Sequence, residues 1–228
     1  MIAKVAHIVL NTTDLDLCDT LLREIGYSRE FIHDSIPNPK NKQIFMYDWT
    51  DTQRMALYNK EGSIPIEVID YGHTARNPGR FSLPYNIFEQ PTCEEDIITK
   101  HGLTEFDTKI NNILVETSLT EESVEFWENI GLKKQGRKVL RYNSALQELE
   151  LTVNLSPGES LSSSYLDSKN FSCLSFFTTS IQSDLKRIHN SGYETSDINK
   201  LEFSGYAVEI GFISGPDGEM VELIEVVD

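Results

Sequence analysis

Three segments of this chain follow one plan without a gap. They are "KVAHIVLNTTDLDLCDTLLREIGY" at 4–27, "INNILVETSLTEESVEFWENIGL" at 110–132 and "NFSCLSFFTTSIQSDLKRIHNSGY" at 170–193. Each opens on an apolar, strand-like run. Each then passes a Thr or Ser suited to a helix N-cap, an amphipathic helix, and a Gly that ends it. The stops are Gly26, Gly131 and Gly192. Counted back from them, His7, Asn112 and Cys173 hold equivalent places. Agreement across strand, cap and stop is the signature of a repeated supersecondary unit.

Strand-like runs follow each helix. The first unit has "KQIFMYDW", "RMALYN" and "IPIEVIDY"; the second has "KVLRYNSA" and "LQELELTV"; the third has "YAVEIGFI" and "EMVELIEV". Each unit reads as β-α-β-β-β, so the expected class is α+β. Each ends on a strand with a Glu between apolar neighbours: Glu67, Glu150 and Glu222. The last strand follows Gly215-Pro216-Asp217-Gly218. Pro216 and Asp217 suit the centre of a tight turn, and Gly218 a positive φ at its exit. The expected layout is a first unit over 1–72, a linker or degenerate unit over 73–109, and paired second and third units over 110–228. Within 73–109, "TCEEDIITKHG" reads as a short capped helix, and "LSPGESLSSSYLDSK" is a second, Ser-rich linker.

Alternation sorts the strand residues. Val5, His7, Val9 and Asn11 share one face of the first strand, and Ala6, Ile8 and Leu10 turn to the helix. Asn112, Leu114 and Glu116 share the equivalent face in unit two, as do Cys173, Ser175 and Phe177 in unit three. On the closing strands Glu148, Glu150 and Thr152 fall together, as do Met220, Glu222 and Ile224. The more polar face would line a pocket.

The bulk numbers narrow the function. With 228 residues the chain is long enough for a real core. A net charge of -16 repels phosphate backbones and anionic headgroups, which argues against nucleic acid and membrane partners. No apolar run is long enough to span a bilayer, and the start lacks a signal peptide's pattern. Cys18, Cys93 and Cys173 show no CxxC spacing. They argue for a reducing compartment and against a disulfide framework or structural zinc. The expectation is a cytoplasmic protein.

The stretches "AHIVLNTTDLD", "SVEFWENIGL" and "GPDGEMVELIE" resemble the vicinal oxygen chelate superfamily of glyoxalase I, bleomycin-resistance proteins and extradiol dioxygenases. The resemblance implies two β-α-β-β-β units joined in a curved, incomplete barrel. It also implies a concave site where first and last strands supply ligands to a divalent metal such as Zn, Ni, Mn or Fe. Carried over by position, His7, Glu67 and Glu222 match metal-ligand places, with Glu222 also a candidate catalytic group. Asn112 and Cys173 depart from the pattern, Asn being a weak ligand and Cys a soft one. They join Glu116, Glu148 and Glu150 as candidate pocket residues.

Bland readings stand beside these. His7 is otherwise a hydrogen-bonded strand histidine, the unit-two carboxylates a solvated sheet face, and Cys173 a small buried residue. Trp127 and Phe126 read as helix core. Units two and three are adjacent and similar in length, so they form the expected pair. The first unit is then left to pair with the linker or, across a two-fold axis, with a second chain in a homodimer. Two functions follow. One is a small-molecule-binding protein with its ligand in the concave cleft; the acidic balance suits a neutral or cationic ligand. The alternative is a divalent-metal-dependent lyase, isomerase or dioxygenase acting on a small vicinal-oxygen substrate.

Overall fold

The computed structural model describes residues 2–73, 75–82, 110–117, 120–136, 139–142, 151–157, 164–203 and 206–227. The first unit contains β1 (Ile2–Thr12), α1 (Leu15–Glu24), β2 (Ser28–Pro37), a 3-10 turn (Lys40–Phe45), β3 (Thr52–Asn59) and β4 (Ile66–Asp70). Two short strands follow, β5 (Ala75–Pro78) and β6 (Phe81–Ser82). The second unit contains β7 (Asn112–Thr117), α2 (Thr120–Ile130), β8 (Lys133–Lys134), β9 (Val139–Tyr142) and β10 (Leu151–Pro157). The third contains β11 (Ser168–Thr178), α3 (Ile181–Asn190), β12 (Glu194–Thr195), β13 (Asn199–Phe203), β14 (Tyr206–Ser214) and β15 (Met220–Val227). The class is α+β, with sheets that curl without closing into a barrel.

The repeat is visible in the chemistry of the strand-to-helix corner. Thr12 Oγ1 accepts from the Asp14 amide at 2.9 Å, and at the equivalent place Thr178 Oγ1 accepts from the Ser180 amide at 3.2 Å. These hydroxyl turns end the strand two residues before the helix. In unit one the N-cap is Asp14 rather than a Thr or Ser; its carboxylate accepts from the Leu17 amide at 3.0 Å. At the far end Gly26, Gly131 and Gly192 take φ of 86°, 111° and 96°. That left-handed conformation strains any residue with a Cβ, which is why all three units stop on Gly.

Within each unit the first strand runs parallel to the last: β1 to β4, β7 to β10, β11 to β15. Between units the expected pairing is overturned. β11 of the third unit joins antiparallel to β1 of the first, with His7 opposite Ser175 and Ile8 opposite Leu174. The second unit meets β11 through β6, which pairs with β7 and touches β11 at Phe81–Phe171. The first unit thus pairs with the third through β1 and β11 within the chain. Two long strands, each of 11 residues, make the β1–β11 seam, whereas β7 has only 6. Length and apolar content outweigh adjacency in sequence here.

The seam divides the core. On the helix face Ile8, Leu10, Leu15, Leu22, Leu174, Phe176, Leu185, Ile188, Val221 and Leu223 pack together, joined by Phe126 and Trp127 of α2. On the other face lie Ala6, Val9, Met55, Ile69, Tyr71, Cys173, Phe212, Met220 and Ile224. Val5 belongs to the helix-face cluster and Ala6 to the opposite one, the reverse of simple alternation. A register shift between Val5 and His7 carries the strand across the seam and changes its phase.

Two sequence expectations for the strands also change. The run 42–49 is not a strand: its first part is the 3-10 turn, and the mostly polar β2 takes the edge position beside β3. The short strands β8, β12 and β13 lie in stretches without an apolar pattern. The turn at 215–218 is as expected, with the Gly218 amide donating to the Gly215 carbonyl at 3.1 Å and Gly218 at φ 82°. The helix expected from "TCEEDIITKHG" lies outside the described residues.

Gly79 sits where the β5–β6 connection presses on β11. A Cβ there would collide with the Phe171 carbonyl oxygen and lie 2.9 Å from the Ser172 Cα. Gly79→Ala is expected to lower stability by about 1–3 kcal/mol, the usual range for overpacking against rigid backbone. Urea unfolding of the variant beside wild type measures this, and an unchanged midpoint contradicts the seating of β6 on β11.

Candidate functional site

The seam brings the opening strand of one unit against the opening strand of another, each flanked by its own closing strand. Register then fixes the side chains. Ser175 pairs with His7 across β1–β11 and with Glu222 along β11–β15, while Glu67 is level with Val9 on β4. His7, Glu67 and Glu222 thus converge from three strands. His7 Nε2 lies 3.4 Å from Glu67 Oε2 and 3.3 Å from Glu222 Oε2. It sits between the two carboxylates without an aligned hydrogen bond to either. Ser175 Oγ donates to Glu222 Oε2 at 2.6 Å. His7 and Glu222 are 8% and 7% exposed, and Ser175 is fully enclosed, so these charges are held largely out of water.

A fourth charge comes from the segment misread as a strand. Residues 38–51 form a closed loop whose neck is tied by Asn38, its amide to the Asp51 carbonyl and its side chain to the Thr50 carbonyl. The loop crosses to the third unit. Asn41 Nδ2 donates to the Asp197 and Ile210 carbonyls at 2.9 and 3.0 Å, and the Tyr47 and Asp48 amides donate to the buried Asp167 carboxylate. Between these anchors the loop buries Lys42. Lys42 Nζ lies 3.4 Å from Gln53 Oε1 and 3.4 Å from the Tyr71 hydroxyl, over the rings of Tyr71 and Phe212 at 5.8 and 5.7 Å.

Electrostatics lock the group. Burial alone would push the His7 imidazole down, but Glu67 and Glu222 outweigh it and hold its pKa up at about 10. Burial acts to raise Glu67, yet His7 and Lys42 bring it below the usual carboxylate range. Burial acts to lower Lys42, and Tyr71, Glu222 and Glu67 raise it instead. Cys173 sits on the same face; burial and the Glu222 charge keep its thiol well above its ordinary value, so it is a neutral, unactivated side chain. At neutral pH the group holds two cations, His7 and Lys42, against two carboxylates.

The donor types of His7, Glu67 and Glu222 are those of a borderline divalent cation. A spacing of 3.3–3.4 Å is also close to the edge of a tetrahedron with metal–ligand bonds of about 2.0–2.1 Å. The charge state opposes that use. A metal has to displace the His7 proton, which at pH 7 lowers apparent affinity by roughly three decades, and it has to sit in the field of Lys42. Among the described residues no group of three or more His, Cys, Asp and Glu is arranged to hold a metal ion. The cluster accommodates a cation only at the cost of that proton.

The remaining sequence candidates lie elsewhere. Asn112 and Glu116 are on β7, separated from β1 in the sheet by β11 and β6. The Asn112 side chain accepts from Asn154, and Glu116 is exposed. Glu148 and Glu150 lie outside the described residues. Sequence reasoning missed Lys42, Gln53 and Tyr71. The Asn38-Pro39 dipeptide followed by Asn41 is a turn signal that marks 38–41 as loop rather than strand.

No protein-family model matches the chain, and no curated protein is similar to it in sequence. Solved structures similar to it include glyoxalase I from Zea mays, at 13% identity and TM-score 0.38 over 97% of this chain and 67% of that one. A putative dioxygenase from Bacillus subtilis aligns at 10% identity and TM-score 0.39 over 99% of this chain and 62% of its own. A glyoxalase family protein from Enterococcus faecalis aligns at 21% identity and TM-score 0.40 over 53% of this chain and all of its own. The chain thus spans about two thirds of the plant enzyme and less of the dioxygenase. No helix among the described residues is long and apolar enough to cross a membrane.

The raised pKa of His7 has a consequence for stability. It stands at about 10 in the folded chain against about 6.5 unfolded. The contribution of protonated His7 is therefore fully present below pH 6.5 and is lost as pH rises through about 10. Urea midpoints of wild type and His7→Gln are expected to differ most near pH 6 and to converge toward pH 10. A constant gap across that range contradicts the ion-paired state.

Proposed function

We propose that this chain is a small-molecule-binding protein of the glyoxalase, bleomycin-resistance and dioxygenase type, with its ligand held against the concave face of the first–third sheet. The observation that carries the reading is the His7–Glu67–Glu222 cluster, built by three strands from two units and enclosed by the Lys42 loop. A fold has no structural need for such a group: burying charge costs free energy that apolar packing avoids. Perturbed ionisable groups gathered on a sheet face are more often kept for a ligand. His7 offers a buried donor without an aligned partner, and Glu222 and Glu67 offer acceptors. Such a set suits a neutral ligand with both hydroxyl and carbonyl oxygens, or a cationic one, rather than an anion. Whole-chain charge points the same way.

The test is calorimetric titration with a panel of neutral and cationic diols, hydroxyketones and catechols, using wild type, Glu222→Gln and Ser175→Ala. A ligand of this site is expected to lose roughly tenfold or more in affinity on Glu222→Gln, since a hydrogen bond to a charged group contributes about 1.5–3 kcal/mol. Ser175→Ala is expected to cost less, because it only orients Glu222. Binding indifferent to both variants, or none across the panel, counts against the reading.

A second reading is a divalent-metal-dependent lyase, isomerase or dioxygenase with His7, Glu67 and Glu222 as ligands. It draws its support from the donor types and the spacing of Glu67 and Glu222 around His7 Nε2. It predicts near one equivalent of Zn, Ni, Mn or Fe on purified protein, lost in both His7→Ala and Glu67→Ala. Metal analysis of the three proteins decides it.

A further inference from the structure

We propose that Lys42 is the built-in counter-cation of the Glu67–Glu222 pair, and that it sets the selectivity of this site against divalent metal. The inference rests on the metal-free reading of the site and supplies its mechanism. Lys42 is 6% exposed, yet its ammonium touches only neutral groups, the Gln53 amide and the Tyr71 hydroxyl, with two aromatic faces beside it. Amide, phenol and ring contacts alone are poor compensation for a desolvated ammonium. The ammonium lies over the ring of Phe212, which stands opposite Glu222 across β14–β15, and Tyr71, Glu222 and Glu67 together hold it charged against burial.

The position is also enforced rather than adopted. The 38–51 loop is tied to its own unit at Asn38 and to the third unit at Asn41, Phe45, Tyr47 and Asp48; the Phe45 carbonyl accepts from the Leu166 amide at 2.8 Å. The backbone that carries Lys42 is thus anchored on both units, and its side chain is buried between them. The loop therefore delivers a fixed positive charge to the face where the two carboxylates meet. An incoming dication gains two carboxylates there but is repelled by the buried ammonium, and repulsion at low dielectric is strong. A neutral ligand meets no such penalty. One lysine thus separates the two classes of occupant.

Titrations of Zn²⁺ and Mn²⁺ at pH 7.5 into wild type, Lys42→Met, Lys42→Arg and Lys42→Met/Glu67→Gln test this. Lys42→Met is expected to bind one equivalent at least tenfold more tightly than wild type or Lys42→Arg, and the double variant to lose that gain. Wild type that binds one equivalent as tightly as Lys42→Met overturns the proposal, as does a folded Lys42→Met with no gain. Should Lys42→Met fail to fold, the charge pairing is read from melting temperatures instead. Lys42→Met/Glu222→Gln, which keeps the cluster neutral, is then expected to melt higher than Glu222→Gln alone. A double variant that melts no higher overturns the pairing. None of these measurements contains an organic ligand, so an empty ligand panel and a failed metal titration point to different faults.

Discussion

The antiparallel pairing of β1 with β11 is the contact on which the rest depends. It joins two units that lie far apart in sequence and stacks their opening strands at the centre of one curled sheet. Everything chemical follows from its register. Because Ser175 faces His7 and neighbours Glu222, a carboxylate from the last strand of the chain reaches a histidine near its start. A slip of one residue along this seam would turn each of these groups to the helix face, where Ile8, Leu174 and Val221 now pack. The apolar helix-face cluster therefore holds the register, and the polar cluster is carried by it. Stability is vested in one face and chemistry in the other.

Several features of this arrangement are legible in residues alone. The three glycines that stop the helices declare the repeat, because only Gly is at ease at φ near 90°. Alternation along "EMVELIEV" puts Glu222 with Met220 and Ile224, and those two lie in the cluster opposite the helices. Other features are not local and leave little trace. Which units pair depends on strand length and on total buried surface, while the common tendency of sequence neighbours to pair argues the wrong way. The phase change at Val5 and Ala6 follows from a bulge set by the partner strand. Lys42 is hidden for a similar reason: "KQIFMYDW" has the composition of a strand, and only its anchors on the third unit show it to be a loop.

The second unit plays a different part from the one its repeat suggests. Its opening strand carries Asn112, tied to Asn154, and an exposed Glu116. One set of its contacts with the rest of the chain lies at the turn before β15. Arg80, just ahead of β6, donates through Nε to the Asp217 carbonyl at 2.9 Å. The Asp217 carboxylate accepts from Thr117 and Ser123, and the Glu219 carboxylate accepts from Ser123 and the Asp217 amide. Thr117 is the equivalent of Thr12 and Thr178, the hydroxyls that end the first strand of the other units. Here the hydroxyl joins Ser123 of its own helix and the Asp217 carboxylate of the hairpin. The repeat has been turned from building a site to bracing one.

That bracing bears on Glu222. The hairpin strand carrying it starts at Met220, directly after the buried Glu219, so its entry is fixed by the second unit and its body by β11 and β14. His7 is fixed by β11 and β4, and Lys42 by a loop tied at both ends. The backbone of every member of the cluster is thus positioned by strand pairing or by loop anchors. His7 is thereby held in contact with two carboxylates at once in a largely dry space, its distances set by the backbone of three strands. His7 Nε2 remains between two carboxylates, aligned to neither. Alignment with one would have to come from moving a strand, and the apolar face opposes that movement. A donor shared between two carboxylates by strand geometry is committed fully to neither.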